Sequence, residues 1–163
     1  MDIQYIWDMI LDLSKNEFIP ALLADAKRFG FEETHEERAS IEDNTILTLI
    51  WVADFASRKQ GYCSISDELL SKFENYGLYL ERLAVKLSVK SPPYILNLIK
   101  LLYNELSHTL EKTLPIRNQI GFAFFQNTVG QVGFFQNLRD SSRGERYKKV
   151  IESCIELFEN EFS

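Results

Sequence analysis

The sequence predicts an all-α fold, a compact bundle of six or seven helices forming one domain over residues 1–163. Three observations carry this. Apolar residues recur three and four positions apart along most of the chain. Capping residues and Gly or Pro stops bracket those runs. At 163 residues and 45% hydrophobic, the chain can bury a sizeable core without disulfides or metal, and no Ser/Gly/Pro linker divides it.

Taken in order, Ile3, Ile6, Trp7, Ile10 and Leu13 share one helical face behind a capping Asp2. A second helix is expected from Asn16 to about Phe29, with Gly30 as its stop. Thr34-His35-Glu36-Glu37 has the Thr-x-x-Glu form of a capping box. The helix it opens should run to about Lys59 and end at Gly61. Residues 46–55 are apolar on most faces, which makes this the central, most buried helix.

Ser66 reads as the cap of a fourth helix, along which Phe73, Tyr76, Leu80, Leu83 and Leu87 form a 3, 4, 3, 4 seam. Pro92-Pro93 breaks the chain and starts the next helix, with Ile95, Ile99, Leu102, Leu106 and Thr109 in similar spacing. The last helix, about Gly144 to Phe162, carries Tyr147, Val150, Ile151, Cys154, Phe158 and Phe162 on one stripe.

One segment departs from this regularity. GFAFFQNTVGQVGFFQN, from Gly121 to Asn137, holds five of the twelve Phe and three of the seven Gly. As a helix it would carry three interior Gly, each costing about 1 kcal/mol against Ala. As a hairpin, GFAFFQ and VGFFQN would flank a five-residue loop from Asn127 to Gln131. Both readings stay open for 121–137. The pairs 124/125 and 134/135 are adjacent, about 100° apart on a helix, so the rings cannot all face one core. Phe122, Phe125, Phe134 and Phe135 are therefore expected at an interaction surface, which a homodimer would use symmetrically.

Composition narrows the function classes. A net charge of −6 and a pI near 5.0 disfavour nonspecific nucleic-acid binding, which depends on neutralising phosphates. Cys63 and Cys154 lie far apart in no metal-ligand spacing, as reduced, partly buried thiols would. The amino terminus has acids and no basic region, and the longest apolar stretch, Ile46 to Ala56, is short and holds Thr48 and Asp54. A cytoplasmic protein with no membrane association, cofactor or metal is the expectation.

Several constellations come close to known chemistry. Glu32-Glu33-x-x-Glu36 matches half of the Glu-Glu-x-x-Glu pattern of the all-α nucleotide pyrophosphohydrolases, whose carboxylates suit Mg²⁺, but the Glu-x-x-Asp half occurs nowhere in the chain. Acids at a helix start are ordinary dipole compensation. Arg139, Arg143, Arg146, Lys148 and Lys149 form the one basic cluster, diluted by Asp140 and Glu145. No nucleophile elbow, P-loop or dinucleotide fingerprint is present.

Arg117-Asn118-Gln119-Ile120-Gly121 resembles the signature end of HEPN domains, small helical proteins often found in prokaryotic toxin–antitoxin and defence systems. The resemblance covers Arg117, Asn118 and the small residue Gly121, then departs at Phe122, where the family has His. It implies an Arg/His pair acting on RNA across a dimer interface. Without the His, a general acid/base typically worth 10²–10⁴ in rate is missing. His108, nine residues upstream and about 13 Å along a continuous helix, is a poor local substitute. The leading expectation is a non-enzymatic protein-interaction module, an antitoxin, immunity or regulatory protein. The alternatives are a HEPN-like ribonuclease with a displaced acid/base and, less strongly supported, the pyrophosphohydrolase.

Overall fold

The computed structural model describes residues 1–28, 35–76, 92–117, 119–129 and 141–163. Every regular element among them is helical: α1 (Ile3–Leu13), a π turn (Ser14–Phe18), α2 (Ile19–Arg28), α3 (His35–Lys59), α4 (Ser66–Glu74), α5 (Pro92–Thr113), α6 (Gln119–Val129) and α7 (Ser141–Phe162). The all-α bundle is as the periodicity predicts.

Asp2 caps α1, its Oδ1 accepting from the backbone N–H of Gln4 at 2.9 Å and of Tyr5 at 3.3 Å. The expected break at Asn16 does not occur. The chain stays helical from Leu13 into Ile19, with the Ile19 N–H donating to the Ser14 carbonyl five residues back. The reason lies at Pro20, which has no N–H to give Asn16 and would press its ring on that carbonyl in an unbroken α-helix. Widening the turn ahead of the proline removes the conflict. It also serves the core. Ile6, Ile10, Ser14, Phe18, Leu22 and Ala26 recur every fourth residue and are all buried. On a regular helix that row would drift by about 40° per step, and the π turn takes back part of the drift.

α3 is the axis of the bundle and packs against every other described helix. Residues 45–54 are all buried, with Trp51 fully enclosed. The buried hydroxyls of Thr45 and Thr48 donate back to the carbonyls of Ile41 (2.6 Å) and Asn44 (2.8 Å), which lets polar side chains sit inside. Thr34, the proposed cap, lies outside the described residues. At the far end Gly61 adopts φ +86°. Its N–H donates to Arg58 O at 3.0 Å, and that of Tyr62 to Ser57 O at 3.1 Å, closing a Schellman motif.

Two expectations on α4 change. Ser66 is the first helical residue and not the cap. Asp54 of α3 does the capping from across the core: its Oδ1 accepts from the N–H of Ile65 (2.8 Å) and Ser66 (3.1 Å) and from the Ser64 hydroxyl (2.7 Å). The helix ends at Glu74, and of the seam's described residues Phe73 is in the core, with Tyr76 edge-on against Trp7. Leu80, Leu83 and Leu87 lie outside the described residues.

On α5 the described side chains that are buried are Ile99, Tyr103 and Leu110; Leu102 and Leu106 are half-buried and Thr109 is exposed, a small rotation from the seam expected, and the Ile95 side chain lies outside the described set. α7 buries Tyr147, Ile151, Cys154, Ile155, Phe158 and Phe162 against α3 and α6. The segment left open between helix and hairpin is helical through Val129, and residues 130–137 lie outside the described ones. Gly121 earns its place there by close approach. A Cβ at Gly121 would stand 1.9 Å from the Gly144 carbonyl oxygen, and one at Gly144 would stand 2.6 Å from the Phe122 ring.

Candidate functional site

The predicted site residues divide between core, turn and undescribed chain. α5 ends at Thr113, and the connection to α6 is a tight turn in which Ile116 N–H donates to Thr113 O (3.0 Å) and Gln119 N–H to Ile116 O (2.9 Å). Arg117 occupies its apex with φ +37°, the one non-glycine residue with positive φ among those described. Left-handed backbone disfavours a side chain with a Cβ, and Arg is not among the types that tolerate it readily. Arg117 is exposed, and the Ile116 side chain beside it is 50% exposed. Asn118, Phe134 and Phe135 lie outside the described residues.

Phe125 does not lie on an exposed surface. It and Phe124 are fully buried, 5.5 and 5.4 Å from the Tyr147 ring, and Phe124 also meets Phe18 edge-on at 5.7 Å. α6 sits between α3 and α7 with apolar neighbours on two sides, so adjacent rings 100° apart both find a core. Phe122 is half-buried over Gly144. The position that would hold His in a HEPN domain is thus used for packing. His108 is exposed on α5.

The half-motif Glu32-Glu33 lies outside the described residues. Among the described residues no cluster of three His, Cys, Asp or Glu side chains has the placement to hold a metal ion, and no helix is long and apolar enough to cross a membrane. The basic cluster is divided among acids. Lys148 faces Glu152 at 3.7 Å and Lys149 faces Glu145 at 3.5 Å. Arg139 and the Arg143 side chain lie outside the described set.

Arg146 leads to a feature that sequence reasoning missed. Asp25 of α2, only 4% exposed, accepts hydrogen bonds at Oδ2 from both the Arg146 guanidinium and the Tyr147 hydroxyl of α7. Burial, then the hydrogen bond to Asp25, pushes the Tyr147 phenol above its ordinary value. For Arg146 burial works downward, but the hydrogen bond and charge of Asp25 outweigh it and hold the guanidinium above its usual range. This clasp closes one end of a cavity of about 600 Å³ between the α1–α2 segment and α7. Leu13, Phe18, Ala21, Ala24 and Val150 line its body, with Glu17, Arg28 and Lys149 on its walls. Cys154 also faces it, its thiol pushed up to about 11 by burial and by the charge of Glu17.

Asp25 falls on the apolar face of α2, beside the buried Leu22 and Ala26. Arg28, three residues on, faces its Oδ1 at 3.7 Å, but Arg146 and Tyr147 are more than 120 residues away, and no local pattern encodes that distance. The pairing would have been visible only as a charged residue on the apolar side of its helix.

A second interior polar network is structural. Asp54 caps α4 and receives the Arg58 guanidinium at 3.0 Å, which also reaches Glu111 of α5 at 2.5 Å. Tyr103 sits nearby, its hydroxyl held protonated by burial and by the charge of Asp54. The network joins α3, α4 and α5.

Comparison with protein-family models, with curated proteins and with solved structures yields no match.

Proposed function

We propose that this chain is a non-enzymatic helical protein-interaction module, of the kind that serves as an antitoxin, immunity or regulatory protein, and that it meets its partner through the α5–α6 turn. The observation that carries the reading is the positive φ of Arg117. A non-glycine residue held there stores about 1–3 kcal/mol of strain, and such strain clusters at functional sites. Here it presents an exposed cation next to an exposed Ile116. An apolar residue with an Arg beside it is the composition of an interface anchor.

The departure from the HEPN pattern supports binding over catalysis. Phe122 is committed to packing against Gly144, and the Tyr147 and Cys154 protons are held well above neutrality, away from the range in which a general base works.

The test compares Ile116→Ser and Arg117→Gly with wild type in affinity capture from the native host. Arg117→Gly should raise stability by about 1 kcal/mol as the strain is released, yet capture less partner; Ile116→Ser should capture less with stability unchanged. Equal capture by all three would remove the turn from the interface. RNA cleavage by the purified protein that disappears in Arg117→Ala would replace this reading with the ribonuclease one.

A further inference from the structure

The cavity between α2 and α7 is polarised along its length. Arg146 lies on Asp25, while the Glu17 charge reaches Cys154. The two walls therefore run antiparallel, with residues 25 to 17 on one side facing 146 to 154 on the other. Eight residues of helix span about 12 Å. Arg28 and Arg146 mark one end, Ala21 and Val150 the middle, and Leu13, Glu17, Phe18 and Cys154 the other.

The lining carries three cations, Arg28, Arg146 and Lys149, against two acids, Glu17 and Asp25, in a chain whose net charge is −6. Arg28 lies 3.7 Å from Asp25 and Lys149 3.5 Å from Glu145, both as exposed side chains whose ion pairs water screens. Asp25 is turned inward and buried, whereas the Arg146 side chain is 51% exposed. A guanidinium has five N–H donors in a planar fork, so the contact with Asp25 leaves others directed outward. The cavity volume of about 600 Å³ falls within the ~300–1,000 Å³ of small-molecule sites, which are mostly apolar with a few convergent polar groups.

We propose that this cavity binds a small amphipathic monocarboxylate: an unbranched acyl chain lies along Phe18, Ala21 and Val150, and its carboxylate meets Arg146, flanked by Arg28 and Lys149. Charge complementarity sets the direction of binding. Arg146 and its neighbours attract the anion at one end, and Glu17 repels it at the other. Ala21 and Ala24 leave the room that larger side chains would fill. The site is distinct from the α5–α6 turn, so a ligand here would act as an effector of the interaction module or as its cargo.

Decanoate, whose extended length suits a cleft of about 12 Å, is the probe, with decan-1-ol and decylamine as neutral and cationic controls. Binding is read by thermal shift and by the alkylation rate of Cys154 in a Cys63→Ser background, which removes the exposed thiol. Decanoate should raise Tm and slow Cys154 alkylation severalfold; decan-1-ol should do so weakly and decylamine not at all. Arg28→Gln and Lys149→Gln, both at exposed side chains, should each weaken decanoate binding by about threefold to tenfold. Ala24→Trp should abolish it by filling the cleft. The proposal falls if decanoate leaves Tm and alkylation unchanged, if decylamine matches it, or if Ala24→Trp binds normally. Partner capture through Ile116 and Arg117 is read with different variants, so either proposal can fail while the other stands.

Discussion

The two sides of α7 are built on opposite plans. Toward α6 it makes a close crossing in which Gly121 and Gly144 bring the backbones together and Phe122 covers the gap. Toward α2 it leaves a cavity of about 600 Å³ closed at one end by a buried Asp25–Arg146–Tyr147 clasp. Tyr147 serves both, its ring packed on Phe124 and Phe125 and its hydroxyl on Asp25. The contrast separates two ways of joining helices. Where side chains are removed, fit alone decides and nothing can be added. Where a polar pair bridges the helices, they stand apart and space for a ligand remains.

The largest effect should come from the crossing. Gly121→Ala sets a methyl 1.9 Å from a backbone carbonyl that cannot move without shifting α7. A destabilisation of about 3 kcal/mol or more is expected in denaturant unfolding. A loss under 1 kcal/mol would mean that the helices slide apart easily and that the two sides of α7 are less different than they look.

The clasp should come next. Asp25→Ala leaves the Tyr147 hydroxyl and Arg146 without their acceptor. Because Arg146 is half exposed and can turn to water, the expected cost is about 2 kcal/mol, below the full penalty for breaking a buried pair. Asp25→Asn, which keeps an acceptor oxygen, should cost less. Equal losses in the two variants would show that shape, rather than hydrogen bonding, holds this side.

The smallest effect is in the pH profile. Burial and the hydrogen bond to Asp25 raise the Tyr147 pKa in the folded protein above the ordinary phenol value of 10.0. Its contribution is therefore complete below pH 10 and declines as pH rises from there through the folded value. Stability should fall with pH above about 10, and Tyr147→Phe should flatten that slope while losing about 1 kcal/mol at neutral pH. An unchanged alkaline slope in Tyr147→Phe would assign it to other groups, Tyr103 first, since its phenol is raised as well.

Legibility in the sequence followed the range of the interactions involved. The Asp2 cap, the Gly61 stop, the central burial of α3 and the stripe on α7 rest on neighbours within a few residues, and each could be read from spacing. The π turn was missed although its cause, Pro20, lies in the sequence; the apolar row at every fourth residue was the second sign. Asp54 was missed as the cap of α4 because the local Ser66 looked sufficient. At the candidate site, Arg117 was singled out by its motif, but its left-handed backbone had no signal in an Arg. Phe125 went to the core because α6 is flanked by α3 and α7, a fact about neighbours that its own helix does not carry.

The amino-acid order alone determined that this chain is helical, where some of its helices start or stop, as at Asp2, Gly61 and Pro92, and which stripes seek burial, because those signals act within one or two turns of backbone. Only the tertiary structure decided which helices meet, that Gly121 would lie on Gly144, and that an ordinary Asp25 would be enclosed by Arg146 and Tyr147 at the end of a cavity. Those contacts join residues 23 to 122 positions apart. Their free energy depends on all the packing between them, and no local window of sequence contains it.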